Sequence, residues 1–274
     1  MNQVAVIQFP GSNCEYETLR AVESVGLTGM VFRWNRSARE LADYRAFILP
    51  GGFSYQDRIR AGAVAAKDSI MAEIARRADE GRPVLGICNG AQILVESGLV
   101  PGTNPGQVQM ALATNRMTDR EGYFCNWSRL AAAADPELSL WTRFWKRGDV
   151  TTAPIAHAEG RFTSADEEVR RMLREGDRVA FRYVGPDGSS PSAFPHNPNG
   201  SIGDVAGITN PAGNVLAMMP HPERANWLRQ VPAALPGTWG EKRKLAGGDF
   251  QAMESPGPMR PLFSALKKFL DAED

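Results

Sequence analysis

The chain has 274 residues, 43% of them hydrophobic and 23% charged, enough to bury a sizeable core in one large domain or two small ones. Its 31 basic and 31 acidic residues give a formal net charge of zero, so nothing in the charge balance argues for nucleic acid or an anionic membrane as a partner. Three cysteines (Cys14, Cys88 and Cys125) with no C-x-x-C exclude a disulfide framework or a cysteine-rich zinc site, and fit a reducing compartment.

Residues 4–7 are apolar and bounded by Pro10-Gly11-Ser12-Asn13, which predicts a first, buried strand and its turn. That opening is strand-like rather than a signal peptide, and no apolar run approaches the roughly 20 residues of a membrane span. The expectation is a soluble, cytoplasmic protein. Residues 15–25 carry Leu19, Ala21, Val22 and Val25 at helical spacing, and residues 28–34 and 47–49 read as second and third strands. Strand, helix, strand at this spacing predicts a parallel sheet with helices on its faces, where function gathers at the carboxyl ends of the strands.

The third strand ends in Pro50-Gly51-Gly52-Phe53-Ser54-Tyr55. Paired glycines after a strand are either a plain turn or a backbone free to present N–H groups to a ligand. Residues 61–80 predict an alanine-rich helix, residues 83–87 a short buried strand, and residues 89–97 another helix. Between the last two lies Gly86-Ile87-Cys88-Asn89-Gly90, a cysteine version of the G-x-S-x-G nucleophile elbow. Such a turn places the side chain at a strand's carboxyl end and a helix N-terminus, where positive partial charge favours a thiolate. The other reading of Cys88 is a buried structural cysteine. A thiolate attacking a carbonyl needs donors for the developing oxyanion, and the N–H groups of Gly52 and Asn89 are the candidates.

Beyond residue 100 the pattern loosens. Residues 101–106 form a turn cluster, and residues 108–156 hold strand-like pieces around Gly122-Tyr123-Phe124-Cys125. The aromatic patch from Trp141 to Trp145 reads as ordinary core, as does Cys125. His157, with Glu159 two residues on, is either a base or a structural histidine. His196, in the Pro/Asn/Ser-rich loop 185–201, is expected to face solvent or substrate. Residues 204–209 and 214–218 predict a hairpin across Asn210-Pro211-Ala212-Gly213-Asn214. The hairpin leads into Met218-Met219-Pro220-His221-Pro222-Glu223-Arg224, where His221 sits just past a strand end between two prolines. His221 with Glu223 makes a second His-x-Glu pair, able to supply a base and the carboxylate that orients it. Spacing alone does not choose between the two pairs.

Together, the G-x-C-x-G elbow, the upstream P-G-G and the downstream P-H-P-E resemble the class I (triad) glutamine amidotransferases. The longer runs FPGSNCE (9–15), PGGFSYQDRIRAGAVA (50–65), GICNGAQIL (86–94), PIAHAEGRF (154–162), NPNGS (197–201) and AGITNPAGNVLAMMPHPER (206–224) are similar to the glutaminase subunits of phosphoribosylformylglycinamidine synthases. The likeness covers residues 3–228 and returns near 258–270. It implies a class I glutamine amidotransferase-like α/β fold: a mostly parallel central sheet flanked by helices, with smaller antiparallel strands in the second half. It also implies a single domain over residues 1–274, with an insertion at 229–257 as a surface or partner-ordered loop, and a last helix over 258–271. For the site, it implies a triad of Cys88, His221 and Glu223, with Gly51, Gly52, Asn89 and Gln92 at the oxyanion hole and substrate, and His157 outside it. Gln56 and Arg58, beside the oxyanion hole, depart from the glycine and tyrosine-like residues usual there. Ala158 and Ala91 replace a common glycine and a bulkier residue.

The implied reaction is hydrolysis of glutamine, with ammonia passed to an ATP-dependent synthetase partner carrying formylglycinamide ribonucleotide, and a small third subunit expected. The sequence has no G-x-x-x-x-G-K-[ST] run and no metal-ligand pattern, so ATP and magnesium are expected on the partner, with no metal in this chain. The glutaminase subunit of another amidotransferase and a stand-alone γ-glutamyl hydrolase remain open as alternatives.

Overall fold

In the computed structural model, which describes residues 3–176, 178–191 and 193–272, the central strands are buried along most of their length. Strand β1 (Gln3–Gln8) buries four consecutive residues, and no position of β3 (Ala46–Leu49) or β4 (Val84–Ile87) is exposed. β2 (Thr28–Arg33) lies at one edge, and β1, β3, β4 and β11 (Val215–Met218) follow it in parallel. Parallel strands between helical layers must be apolar on both faces, which is why they read as short unbroken apolar runs. The predicted antiparallel strands do not form a separate layer. β10 (Val205–Thr209), β9 (Val179–Tyr183), β6 (Phe124–Ala132) and β7 (Val150–His157) continue the same sheet, making nine strands in all. A separate pair, β5 (Ala111–Ala113) and β8 (Arg161–Thr163), lies outside it.

Register decides where the site lies. Leu49 pairs with Gly86, and Ile87 with Met218, so β3, β4 and β11 end at one level. Gly51, Cys88 and His221 therefore leave the sheet side by side, and the turn after β1 brings Cys14 to the same edge.

Helix α1 (Glu15–Glu23) follows β1, and α2 (Ser69–Asp79) buries Ile70, Met71, Ile74 and Ala78. All eight residues of α3 (Asn89–Glu96) are buried. α4 (Glu167–Glu175) packs Val169 and Leu173 inward. One contiguous apolar cluster runs from Val4 to Leu270.

Three expectations need correction. The helix predicted over residues 61–80 begins only at Ser69. Gly62 stands at φ 80°, and the Asp68 carboxylate accepts the Ile70 N–H at 3.1 Å, so the helix is capped there. The expected loop at 229–257 instead contains α5 (Thr238–Ala246) and α6 (Phe250–Met253). Glu241-Lys242-Arg243-Lys244-Leu245-Ala246 are good helix formers whose signal the surrounding Pro and Gly obscured. Asp249 caps α6, accepting from Gln251 and Ala252 N–H at 2.8 and 3.2 Å. Cys125 is exposed rather than core: it lies in the first half of β6, where no residue is fully buried, whereas burial begins at Ser128. Trp141 and Trp145 are core as expected, and the Trp141 indole N–H donates to the Asn214 carbonyl at 3.0 Å. α7 (Arg260–Ala272) packs across that aromatic segment with Leu262, Phe263, Leu266 and Leu270. Among the described residues, no helix is long and apolar enough to cross a membrane.

Candidate active site

Cys88 joins β4 to α3 at φ 51° and ψ −106°, a conformation an L-residue holds only where its surroundings impose it. The flanking glycines show how tight the turn is. A Cβ on Gly90 would sit 1.9 Å from the Leu49 carbonyl oxygen, and one on Gly86 would sit 2.5 Å from the Gly90 oxygen. The thiol lies at the first turn of α3 and points to the Ala156 carbonyl at 3.7 Å. The predicted elbow is present in geometry as well as in spelling.

His221 follows β11, fixed by its own N–H donating to the Pro154 carbonyl at 2.8 Å. Its Nδ1 lies 2.6 Å from Glu223 Oε1, and both side chains are buried. Burial alone would lower the imidazole pKa. The Glu223 carboxylate, with Cys88 and Cys14 adding to it, outweighs that and holds the pKa well above 6.5. A Cβ on Gly51 would stand 2.7 Å from His221 Cε1, 3.2 Å from Cys14 Sγ and 3.5 Å from Cys88 Cβ. Gly51 is thus the point where the histidine and both cysteines converge, and only a residue without a side chain fits.

The Ser12–Gly52 bridge uses the N–H groups of Asn13 and Phe53, not that of Gly52. The Asn89 side chain ties this loop to α3: its Oδ1 accepts the Ser54 N–H at 3.1 Å, and its Nδ2 donates to Gln92 Oε1 at 2.9 Å. Gln92 in turn donates to the Glu159 carbonyl at 2.7 Å. All seven residues named for the site therefore lie along one edge, at the carboxyl ends of β3, β4 and β11. The arrangement is closed, with Cys88 6% and His221 2% exposed.

A family model for the CobB/CobQ-like glutamine amidotransferase domain matches residues 1–254. The chain belongs to that family. Among curated relatives, the phosphoribosylformylglycinamidine synthase subunit PurQ of Methanothrix thermoacetophila is 44% identical over 98% of each chain. The subunit of the same name from Pyrococcus furiosus is 41% identical over 82% of this chain and 90% of its own length. A solved structure of PurLQS from Thermotoga maritima superposes with a TM-score of 0.70, at 31% identity and 98% coverage of both chains.

In this glutamine amidotransferase domain, the two His-x-Glu pairs part company. His157 is fully buried at the end of β7, its Nδ1 3.2 Å from Asn115 Oδ1. Burial, with the nearby charge of His221, pushes its pKa down to about 3, so it stays neutral. Glu159 does not pair with it; its Oε2 accepts the Ala61 N–H at 3.4 Å. The NPNGS run is a buried polar clamp rather than a surface motif. Asn199 donates to the Gly160 carbonyl at 2.8 Å and Ser201 Oγ accepts the Phe162 N–H at 3.0 Å, which fixes the turn after His157. His196 is exposed and lines a cavity of about 500 Å³ between β6, β7 and α5, away from Cys88.

Two residues were missed. Asn115 holds both His157 and the Gly160 N–H, at 2.9 Å for the latter, yet lies in a stretch with no pattern. Cys14, inside the FPGSNCE run, accepts from Arg224 Nη2 at 3.2 Å and stands next to His221 and Glu223. Its place in a long motif was the available signal. No local spacing links positions 14, 221 and 223, so the sequence shows no metal-ligand pattern, while the structure brings all three together.

Proposed function

We propose that this chain is the glutaminase subunit of a phosphoribosylformylglycinamidine synthase, and that Cys88, His221 and Glu223 are its catalytic triad. The observation that carries the reading is the strained Cys88 elbow beside a histidine whose Nδ1 is held by a buried carboxylate. His221 takes the Cys88 proton, and the thiolate adds to the side-chain carboxamide of glutamine. The N–H groups of Gly52 and Asn89 receive the negative charge developing on oxygen, Gly51 leaves room for it, and Gln92 holds the substrate. The imidazolium, stabilised by Glu223, passes its proton to the departing nitrogen, and ammonia leaves a glutamyl thioester. His221 then takes a proton from water, hydroxide attacks the thioester, and glutamate leaves as the thiol is restored.

The ammonia passes to an ATP-dependent synthetase partner that converts formylglycinamide ribonucleotide to formylglycinamidine ribonucleotide in purine biosynthesis. ATP and magnesium bind to that partner, and a small third subunit joins the complex. The names of the relatives, and the assembly of which the Thermotoga chain is part, support this reading. We read the chain as one domain acting in the cytoplasm. A closed site accords with low activity in isolation, the loop at 53–60 and the run at 154–162 being the segments for the partner to open.

The test is glutamate release from glutamine by wild type and Cys88→Ala, each with and without the synthetase and its nucleotide substrates. Low activity alone, raised by the partner and absent in Cys88→Ala, is expected. Full activity indifferent to partner would favour a stand-alone hydrolase, and activity surviving Cys88→Ala would refute the site.

A further inference from the structure

We propose that the cavity between β6, β7 and α5 is a binding site for a nucleoside phosphate, a ligand with a flat aromatic ring at one end and a phosphate at the other. The cavity holds about 500 Å³, within the roughly 300–1,000 Å³ of small-molecule sites and far more than a lone phosphate fills. None of the seven residues placed at the catalytic edge lines it, so the proposal does not rest on the glutaminase reading.

Charge sets the kind of ligand. Arg129 and Lys242 line the cavity with His196, and no carboxylate is among the described lining residues. Asp187, which feels the charge of His196, is engaged by the Ser189 hydroxyl and N–H at 2.7 and 3.1 Å. Arg129 Nε is buried without a hydrogen-bond partner. A buried N–H left unpaired is costly, and a phosphate oxygen is a partner that a guanidinium suits well. This guanidinium stands at the start of α5, because a Cβ on Gly237 would lie 3.6 Å from Arg129 Nη1. α5 opens there with no side-chain cap, and its first N–H groups have no acceptor within the helix. One turn further along α5, Lys242 Nζ lies 4.6 Å from the centre of the Trp239 ring, and its flexible stem can turn from ring to anion.

The rest of the wall selects a ring. Phe124, Trp127 and Trp239, with Pro186, Pro195 and Pro236, supply apolar surface on which a planar base can stack. Inorganic phosphate would leave these faces bare, and an uncharged ring would leave Arg129 unpaired. The walls come from three parts of the chain: β6 with β7, the segment after β9, and residues 235–242. A ligand touching all three ties α5 to the sheet, so binding raises thermal stability.

The experiment titrates the full-length chain with AMP, GMP, UMP and CMP in turn, by calorimetry and by melting temperature, with the matching nucleosides and inorganic phosphate as separate arms. At least one nucleotide should bind at one equivalent and raise the melting temperature, its nucleoside and inorganic phosphate each binding at least tenfold more weakly. Arg129→Gln should weaken that binding at least tenfold and Lys242→Gln at least threefold, while Cys88→Ala leaves it unchanged. Lys242 is exposed, so its variant tests the site even where Arg129→Gln fails to fold. Failure of all four nucleotides to bind saturably would overturn the proposal, as would phosphate or a nucleoside binding as tightly as its nucleotide. Affinity unchanged in Lys242→Gln, or lost in Cys88→Ala, would place any binding elsewhere and overturn it too.

Discussion

Glu223→Gln removes one buried negative charge while keeping the side chain's shape, so it isolates what the carboxylate does for His221. The contact is 2.6 Å from Nδ1 to Oε1, which places the charge centres about 4 Å apart. At an effective dielectric of about 20, that attraction is on the order of 4 kcal/mol. His221 gains positive charge in both proton-transfer steps, so kcat for glutamate release by the complete complex should fall about a thousandfold. Below about pH 6.5 stability should fall as well, because the buried His221–Glu223 pair loses one of its partners. The pH dependence follows from the raised His221 pKa. Its stabilising contribution is fully present below about pH 6.5 and is lost as pH rises through the raised folded value. Wild type should therefore lose thermal stability across that window, and Glu223→Gln should lose less. Glutamate release within threefold of wild type, in a variant that remains folded at the assay temperature, would refute the role given to Glu223.

Gly51→Ala places a methyl 2.7 Å from His221 Cε1 and 3.2 Å from Cys14 Sγ. It should cost about 1–3 kcal/mol in denaturant unfolding and remove glutaminase activity; an active Gly51→Ala would show that the imidazole has room to move. Asp57 lies beside Asn89 and Glu159, and burial, then the Glu159 charge, pushes its carboxyl up to about 6. Ionised Asp57 thus destabilises the fold: protonated Asp57 leaves stability intact below about pH 4, and that stability is lost as pH rises through 6. Asp57→Asn should match wild type near pH 4 and be more stable at pH 8. The gain should be no more than about 1 kcal/mol for a group only partly shielded from solvent; equal melting curves at pH 8 would contradict it.

How much was readable depended on whether the determining interactions were local. The elbow is written locally: Gly86 must lack a side chain because the Gly90 carbonyl oxygen would lie 2.5 Å from its Cβ, although Gly90 answers to the Leu49 carbonyl on β3. The parallel strands were equally legible, since burial on both faces leaves unbroken apolar runs. Helix boundaries were less so: Asp68 caps α2 well after the alanine-rich stretch begins, and alanine content says nothing of where a cap falls.

By itself, the sequence determined the α/β class, the nucleophile position and the presence of two His-x-Glu pairs, because each is written within a few neighbouring residues. The tertiary structure decided the rest. It turned His221 toward Glu223 and buried His157 against Asn115, although the two pairs have the same spacing. It exposed Cys125 and drew Cys14 into the site, although no local spacing ties Cys14 to His221 or Glu223. The physical reason is that burial and charge depend on distances between segments far apart along the chain. Those distances are set by strand register, which no local pattern records.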